Sequence, residues 1–166
     1  MRITFKKGEK LKVNVGIADT TFARVDMGHM AIDEIENTTT KVNVIRYTVP
    51  GMKDLPVACK ILFDKYDCEI CLALGMPGAE ELDKVCAHEA SQGIITSQLM
   101  TGKHIIECFI HEDEAETPEE LIKICDNRAR EHAQNVLKLL FEKEWFVKNA
   151  GMGLRQGFPD AGPIKL

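Results

Sequence analysis

A chain of 166 residues is the size of one domain and long enough to bury a core without disulfide or metal staples. Its net charge of −5 argues against a general nucleic-acid binder, and no apolar run reaches the ~20 residues needed to cross a bilayer. The N-terminus has no signal-peptide core, so a cytoplasmic protein whose six cysteines stay reduced is expected.

Basic residues open the chain (Arg2, Lys6, Lys7, Lys10, Lys12) and read as solvated surface, as does the acidic run 112–120. A first strand is expected over 12–18. The turn Asp19-Thr20-Thr21 then offers caps for a helix through Phe22, Val25, Met27, Met30, Ala31 and Ile35, broken at Asn37-Thr38-Thr39-Thr40. A second strand over 41–49 mixes β-branched residues with outward Asn43 and Arg46, which suits a sheet edge. Asp54 reads as the N-cap of a second helix with Pro56 in its first turn. The third strand, 69–74, is almost wholly apolar, as a central parallel strand covered on both faces should be. Cys68 and Cys71 form a CxxC, but on a strand residues three apart face opposite ways, so buried structural thiols are expected.

A third helix spans about 82–101 and stops at Gly102, a C-cap glycine. Its small residues Ala87, Ala90, Ser91, Gly93 and Ser97 suit either a subunit interface or close packing on the sheet. A fourth strand covers 104–110. Thr117-Pro118-Glu119-Glu120 is a capping box that opens a long helix with Leu121, Ile124, Cys125, Ala129, Ala133, Val136, Leu137 and Leu140 inward. A glycine-rich tail begins at about residue 151 and is expected to lie on a surface or a neighbour. The order β-α-β-α-β-α-β-α predicts a single doubly wound α/β domain over 1–166 with four parallel strands.

Ligands in such folds bind beyond the carboxyl ends of the strands. The four loops there carry Thr20, Thr21, Phe22 and Arg24; Pro50, Gly51, Lys53 and Asp54; Met76, Pro77 and Gly78, then Asp83, Lys84 and His88; and His111, Glu112 and Asp113. Dinucleotide, P-loop and Gly-x-Ser-x-Gly motifs are absent, and no spacing of histidines and carboxylates suggests a metal site. Lys84 and His88 share one helical face and would set a cation and a titratable ring beside a ligand, or simply meet solvent. Phe22 could stack on a flat ring or cover a helix start. Gly51 and Gly78 are turn glycines or points where a ligand lies on bare backbone. The residues alone point to a small polar or aromatic ligand in a four-loop crevice.

Several segments are more specific: VGIADTTFARVD at 15–26, VPGMKDLPVACK at 49–60, ALGMPG at 73–78, DKVCAHEA at 83–90, HIIE at 104–107, HEDEA at 111–115 and GLRQGFPDAGP at 153–163. Together they resemble archaeal-type riboflavin synthase, a relative of lumazine synthase. The resemblance implies a flavodoxin-like, three-layer domain with strand order 2-1-3-4 and a homopentamer with sites between adjacent subunits. It also implies the reaction: two molecules of 6,7-dimethyl-8-ribityllumazine exchange a four-carbon unit, giving riboflavin and 5-amino-6-ribitylamino-pyrimidinedione. No bound cofactor is implied, although Mg2+ dependence is linked to the family.

Alternatives are lumazine synthase itself and a non-catalytic lumazine or flavin carrier. Lumazine synthase must hold a phosphorylated substrate, whereas Met76-Pro77-Gly78-Ala79-Glu80-Glu81 offers no cation and adds two carboxylates. On the favoured reading Phe22 stacks on one ring. Thr20, Thr21, Lys53 and Asp54 meet ribityl hydroxyls or ring edges, helped by backbone groups of Gly51 and Leu55. Met76, Pro77 and Gly78 place the second ring, Lys84 and His88 handle protons, and Glu112 and Asp113 act from the neighbouring subunit.

Overall fold

The computed structural model describes residues 11–165; Arg2, Lys6, Lys7 and Lys10 lie outside them. Four strands, β1 (Val13–Thr20), β2 (Val42–Val49), β3 (Cys68–Gly75) and β4 (Ile105–Phe109), form one parallel sheet in the order β2-β1-β3-β4. Among the described residues five α-helices accompany it: α1 (Met27–Thr38), α2 (Leu55–Tyr66), α3 (Glu81–Thr101), α4 (Pro118–Phe141) and the short α5 (Lys143–Lys148). The expected strand order and the edge position of β2 are both borne out.

The alternation of side chains along the strands divides the core in two. Val15, Ile17, Leu72, Leu74 and Ile110 face α1 and α4. Ala18, Cys71, Ala73 and Ile105 face α2 and α3. The second face is built from small residues because α2 comes close: a Cβ added at Gly16 would lie 2.9 Å from Leu62 Cδ1. The small stripe of α3 serves the same purpose. A Cβ at Gly93 would lie 2.7 Å from Pro56 Cγ, and Ser97 donates to the Pro56 carbonyl at 3.0 Å, so this stripe packs on α2. Gly102, at φ +64°, ends α3 as a left-handed cap that β-branched or bulky residues would strain.

Four local expectations are corrected. β1 runs on through Asp19 and Thr20, so α1 starts later, at Met27 with Asp26 as its N-cap; Phe22 and Val25 precede the helix. Asn37 and Thr38 lie inside α1 rather than breaking it. Asp54 stands at the N-cap of α2 but makes no side-chain cap bond, because a 3-10 turn at Met52–Asp54 leads into the helix. Cys68 and Cys71 do not face opposite ways. The pairing of β3 with β1 skips Glu69, and this bulge turns both thiols, with Cys59, into the core under α2. All three are buried and free, so the structural reading of the thiols stands; Cys86 is only half-buried.

Candidate active site

β1 and β3 are neighbours whose connections leave on opposite faces of the sheet, the arrangement that opens a crevice at the strand ends. There Asp19 is a buried carboxylate. It accepts from Arg46 Nε at 3.1 Å, Arg46 Nη2 at 2.5 Å and the Thr48 hydroxyl at 2.6 Å, and Arg46 Nη2 reaches on to Asp26 at 2.6 Å. Burial pushes the Asp26 carboxyl up, but the His29 N–H and the Arg46 guanidinium outweigh it and hold the group below its ordinary value. Thr20 Oγ1 accepts from Ala23 N at 3.2 Å. The loop 21–26 is thus tied at both ends, and Phe22 is left 56% exposed on top of it. Asp19, Thr20, Thr21, Arg24, Arg46 and Thr48 line an open cavity of about 440 Å³.

Beyond β2, Thr21 Oγ1 donates to the Pro50 carbonyl at 3.4 Å. A Cβ added at Gly51 would meet nothing within 4 Å, so the space over this glycine is open. Lys53 and Asp54 are exposed, with Lys53 Nζ paired to Glu89 at 2.5 Å. The Leu55 and Met76 side chains are wholly in the core, and Pro77 and Gly78 are buried. Neither Leu55 nor Met76 is exposed in a single copy of the chain.

The start of α3 is closed by its own acids. The Asp83 carboxylate accepts from Glu80 N at 3.2 Å, and Asp83 N donates to the Glu80 carbonyl at 2.9 Å. A helix N-terminus is otherwise a ready seat for an anion. Lys84 is the cation nearby. Its Nζ lies 3.2 Å from Asp113 and 3.5 Å from Glu81, and these carboxylates push its pKa up.

The acidic run after β4 is not simply solvated. Three successive carboxylates of a 3-10 turn, Glu112–Glu114, each take a cation from a different element: Arg24 at 3.6 Å, Lys84 at 3.2 Å and Arg128 at 2.5 Å. Glu112 N also donates to the Pro77 carbonyl at 3.0 Å, which stitches the third and fourth loops together.

A larger cavity of about 630 Å³ opens along the free edge of β4, between α3 and α4. α3 contributes Lys84, His88 and Ser91, and β4 with its following loop contributes Glu107, Phe109 and His111. α4 contributes Arg128 and His132, and the tail closes one end with Arg155, Gln156 and Phe158. Along β4, Ile110 N donates to β3 and His104 O accepts from it. The alternate residues Glu107 and Phe109 therefore turn their backbone groups to the open edge. Burial pushes the Glu107 carboxyl up, against a hydrogen bond from Ser91. His111 Nδ1 and Arg128 Nε are buried without partners among the described residues. The Phe158 ring lies 4.2 Å from the Arg128 guanidinium, which pins the tail to α4. Burial lifts the Cys108 thiol under this floor to about 12.

Residues 12–144 match the model of the 6,7-dimethyl-8-ribityllumazine synthase family. The chain belongs to that family. It is 61% identical over 152 residues to a riboflavin synthase of Methanothermobacter thermautotrophicus, covering 92% of this chain and 99% of the relative. It is 51% identical to a riboflavin synthase of Aeropyrum pernix, covering 91% and 97%, and 46% identical to one of Archaeoglobus fulgidus, covering 92% and 99%.

In this member of the lumazine synthase family one copy of the chain does not gather the expected site residues in one place. Lys84, His88 and His111 share the β4-edge cavity, whereas Thr20 and Thr21 line the cavity over β1. Glu112 belongs with Arg24 to a third, smaller hollow of about 220 Å³. Phe22, Gly51, Lys53, Asp54 and Asp113 lie outside these three hollows. Arg46, Glu107, Arg128, His132 and Phe158 were missed by the reading of the loops, because none sits in a loop after a strand. Among the described residues no three His, Cys, Asp or Glu side chains stand close enough to hold a metal ion. Among them, too, no helix is long and apolar enough to cross a membrane.

Proposed function

We propose that this protein is a riboflavin synthase of the archaeal type, converting two molecules of 6,7-dimethyl-8-ribityllumazine to riboflavin and 5-amino-6-ribitylamino-pyrimidinedione. The reading is carried by the start of α3, where the Asp83 carboxylate takes the Glu80 amide and Glu81 adds a second first-turn acid where a phosphate would sit. A phosphorylated substrate would meet carboxylates there, while a second uncharged lumazine would not. The names of the archaeal relatives support the same activity. The family description favours a second reading, 6,7-dimethyl-8-ribityllumazine synthase.

The protein works as a cytoplasmic homopentamer with each site between adjacent subunits. Support comes from the division of the site residues between two faces. One subunit supplies the β4-edge cavity, and its neighbour supplies Phe22, the Thr20-Thr21 hydroxyls, the open backbone at Gly51, and Lys53 and Asp54. Phe22 stacks on one pteridine ring. Backbone groups at Met76, Pro77 and Gly78 shape the second ring's place, and the Glu112–Glu114 turn holds the cations that border it. The chemistry asks for a base to remove a proton from the acidic C7 methyl and for two flat molecules held face to face. Such positioning is worth roughly 7–11 kcal/mol of barrier when the geometry is near-attack.

Incubation with dimethylribityllumazine alone tests the proposal. Riboflavin fluorescence that grows over many turnovers is the expected result. Stoichiometric binding without product would mean a carrier, and product formed only from the diaminopyrimidine and a phosphorylated four-carbon sugar would mean lumazine synthase.

A further inference from the structure

We infer that His132 is the base that takes the C7-methyl proton of the lumazine. The inference rests on the riboflavin synthase reading. His132 lines the β4-edge cavity from α4, and its Nδ1 is 2.7 Å from the carbonyl of Arg128, one turn earlier. A carbonyl only accepts, so Nδ1 carries the hydrogen and Nε2 keeps its lone pair. No group among the described residues hydrogen-bonds Nε2. Burial pushes the pKa of the ring down, against the pull of that carbonyl and of Glu131.

The charged and titratable groups facing the ring narrow the choice. Lys84 of α3 is held as a cation by Asp113 and Glu81, and a cation cannot take a proton. Arg128 on its own helix and Arg155 of the tail are permanently charged and suited to stabilise an anion. Glu107 of β4 lines the same cavity, and burial pushes its carboxyl up; it has no hydrogen bond that fixes it toward a ligand, as the Arg128 carbonyl fixes His132. His88 is exposed, and the Nδ1 of His111 is buried without a partner, so neither ring is held in place by a hydrogen bond at Nδ1. Among the described residues His132 alone combines a ring held at Nδ1, an Nε2 without a partner and a place in the cavity wall. The C–H bond of the methyl breaks, its proton passes to Nε2, and the electron pair delocalises into the pteridine ring. The imidazolium then gives the proton to a nitrogen of the departing diaminopyrimidine, so the base is regenerated and no other reactant is consumed.

His132→Asn keeps a donor near the Nδ1 position but has no group at Nε2. With the wild-type enzyme turning over dimethylribityllumazine as the reference, the variant should bind riboflavin within about twofold of wild type and lose about 100-fold or more in kcat. It should also lose the acid limb of the kcat/KM profile and the enzyme's acceleration of C7-methyl deuterium exchange. Glu107→Gln and His88→Ala should retain that exchange. His132→Asn with wild-type turnover and an unchanged acid limb would overturn the inference, as would loss of exchange in Glu107→Gln or His88→Ala alone. Either result leaves the overall activity standing, which only a wild-type enzyme making no riboflavin would remove.

Discussion

Arg46→Met is the sharpest test of how the β1 end is built. The guanidinium bridges Asp19, whose side chain is 7% exposed, and Asp26, which is 60% exposed. Removing one partner of a buried ion pair costs about 3–5 kcal/mol, because the other charge stays buried and uncompensated. Arg46 is itself 34% exposed, and Thr48 still donates to Asp19, so the loss should be nearer roughly 2–3 kcal/mol. In a chain of this size each kcal/mol moves the midpoint about 2–4 °C, giving a fall of roughly 5–10 °C. The Asp26 arm adds little, as exposed pairs contribute under about 1 kcal/mol. It adds a pH signature instead. Asp26 sits below its ordinary 3.8, so its share is complete above that value and fades as the pH falls through the lowered one; Arg46→Met should flatten this acid slope. Urea unfolding followed by circular dichroism, at one protein concentration for both proteins, gives the number. A variant within about 0.5 kcal/mol of wild type, the range of an ordinary surface change, would refute the argument.

Phe22→Ala should raise KM for dimethylribityllumazine about 3- to 10-fold, the equivalent of one aromatic stacking contact, with a smaller effect on kcat; an unchanged KM removes Phe22 from the site. Gly93→Val should destabilise by about 1–3 kcal/mol in thermal unfolding, because the added atoms meet Pro56 and α2 must move away from α3. Gly157 has φ +71° and sits against Arg128, so Gly157→Ala adds a strain of about 1–2 kcal/mol and a collision in the tail. Limited proteolysis should then cut the tail faster and turnover should fall, while the global midpoint stays within about 2 °C, since this strain is local; a tail as resistant as wild type would show that Arg128 does not pin it.

What could be read from the sequence was local. The apolar run of β3, the glycine stop after α3 and the proline-led start of α4 are each set by neighbours a few residues away, and they fell where expected. What could not be read depends on partners far along the chain. Asp19 looks like a helix cap, but Arg46, 27 residues on, takes its carboxylate, and the strand runs through it. The bulge at Glu69 exists only in the pairing of β3 with β1. α5 spans only 6 residues, too few for a periodic pattern to stand out.

Arg128 and His132 were the more instructive omissions, because a signal for them was present. Cys125, Ala129, Ala133 and Val136 trace the inward stripe of α4, and a period of 3.6 brings positions 128 and 132 to its border. A charged residue there must find a partner or lose stability. The carboxylate it finds, Glu114, stands in the loop before the helix, in an acidic run that composition alone labels solvated. An arginine on the apolar side of α4 and three acids just upstream were therefore one observation, and it located the wall of the β4-edge cavity. The tail then buries the same arginine under Phe158, so the helix, the acidic turn and the C-terminal segment converge on one guanidinium beside the histidine inferred to act as base.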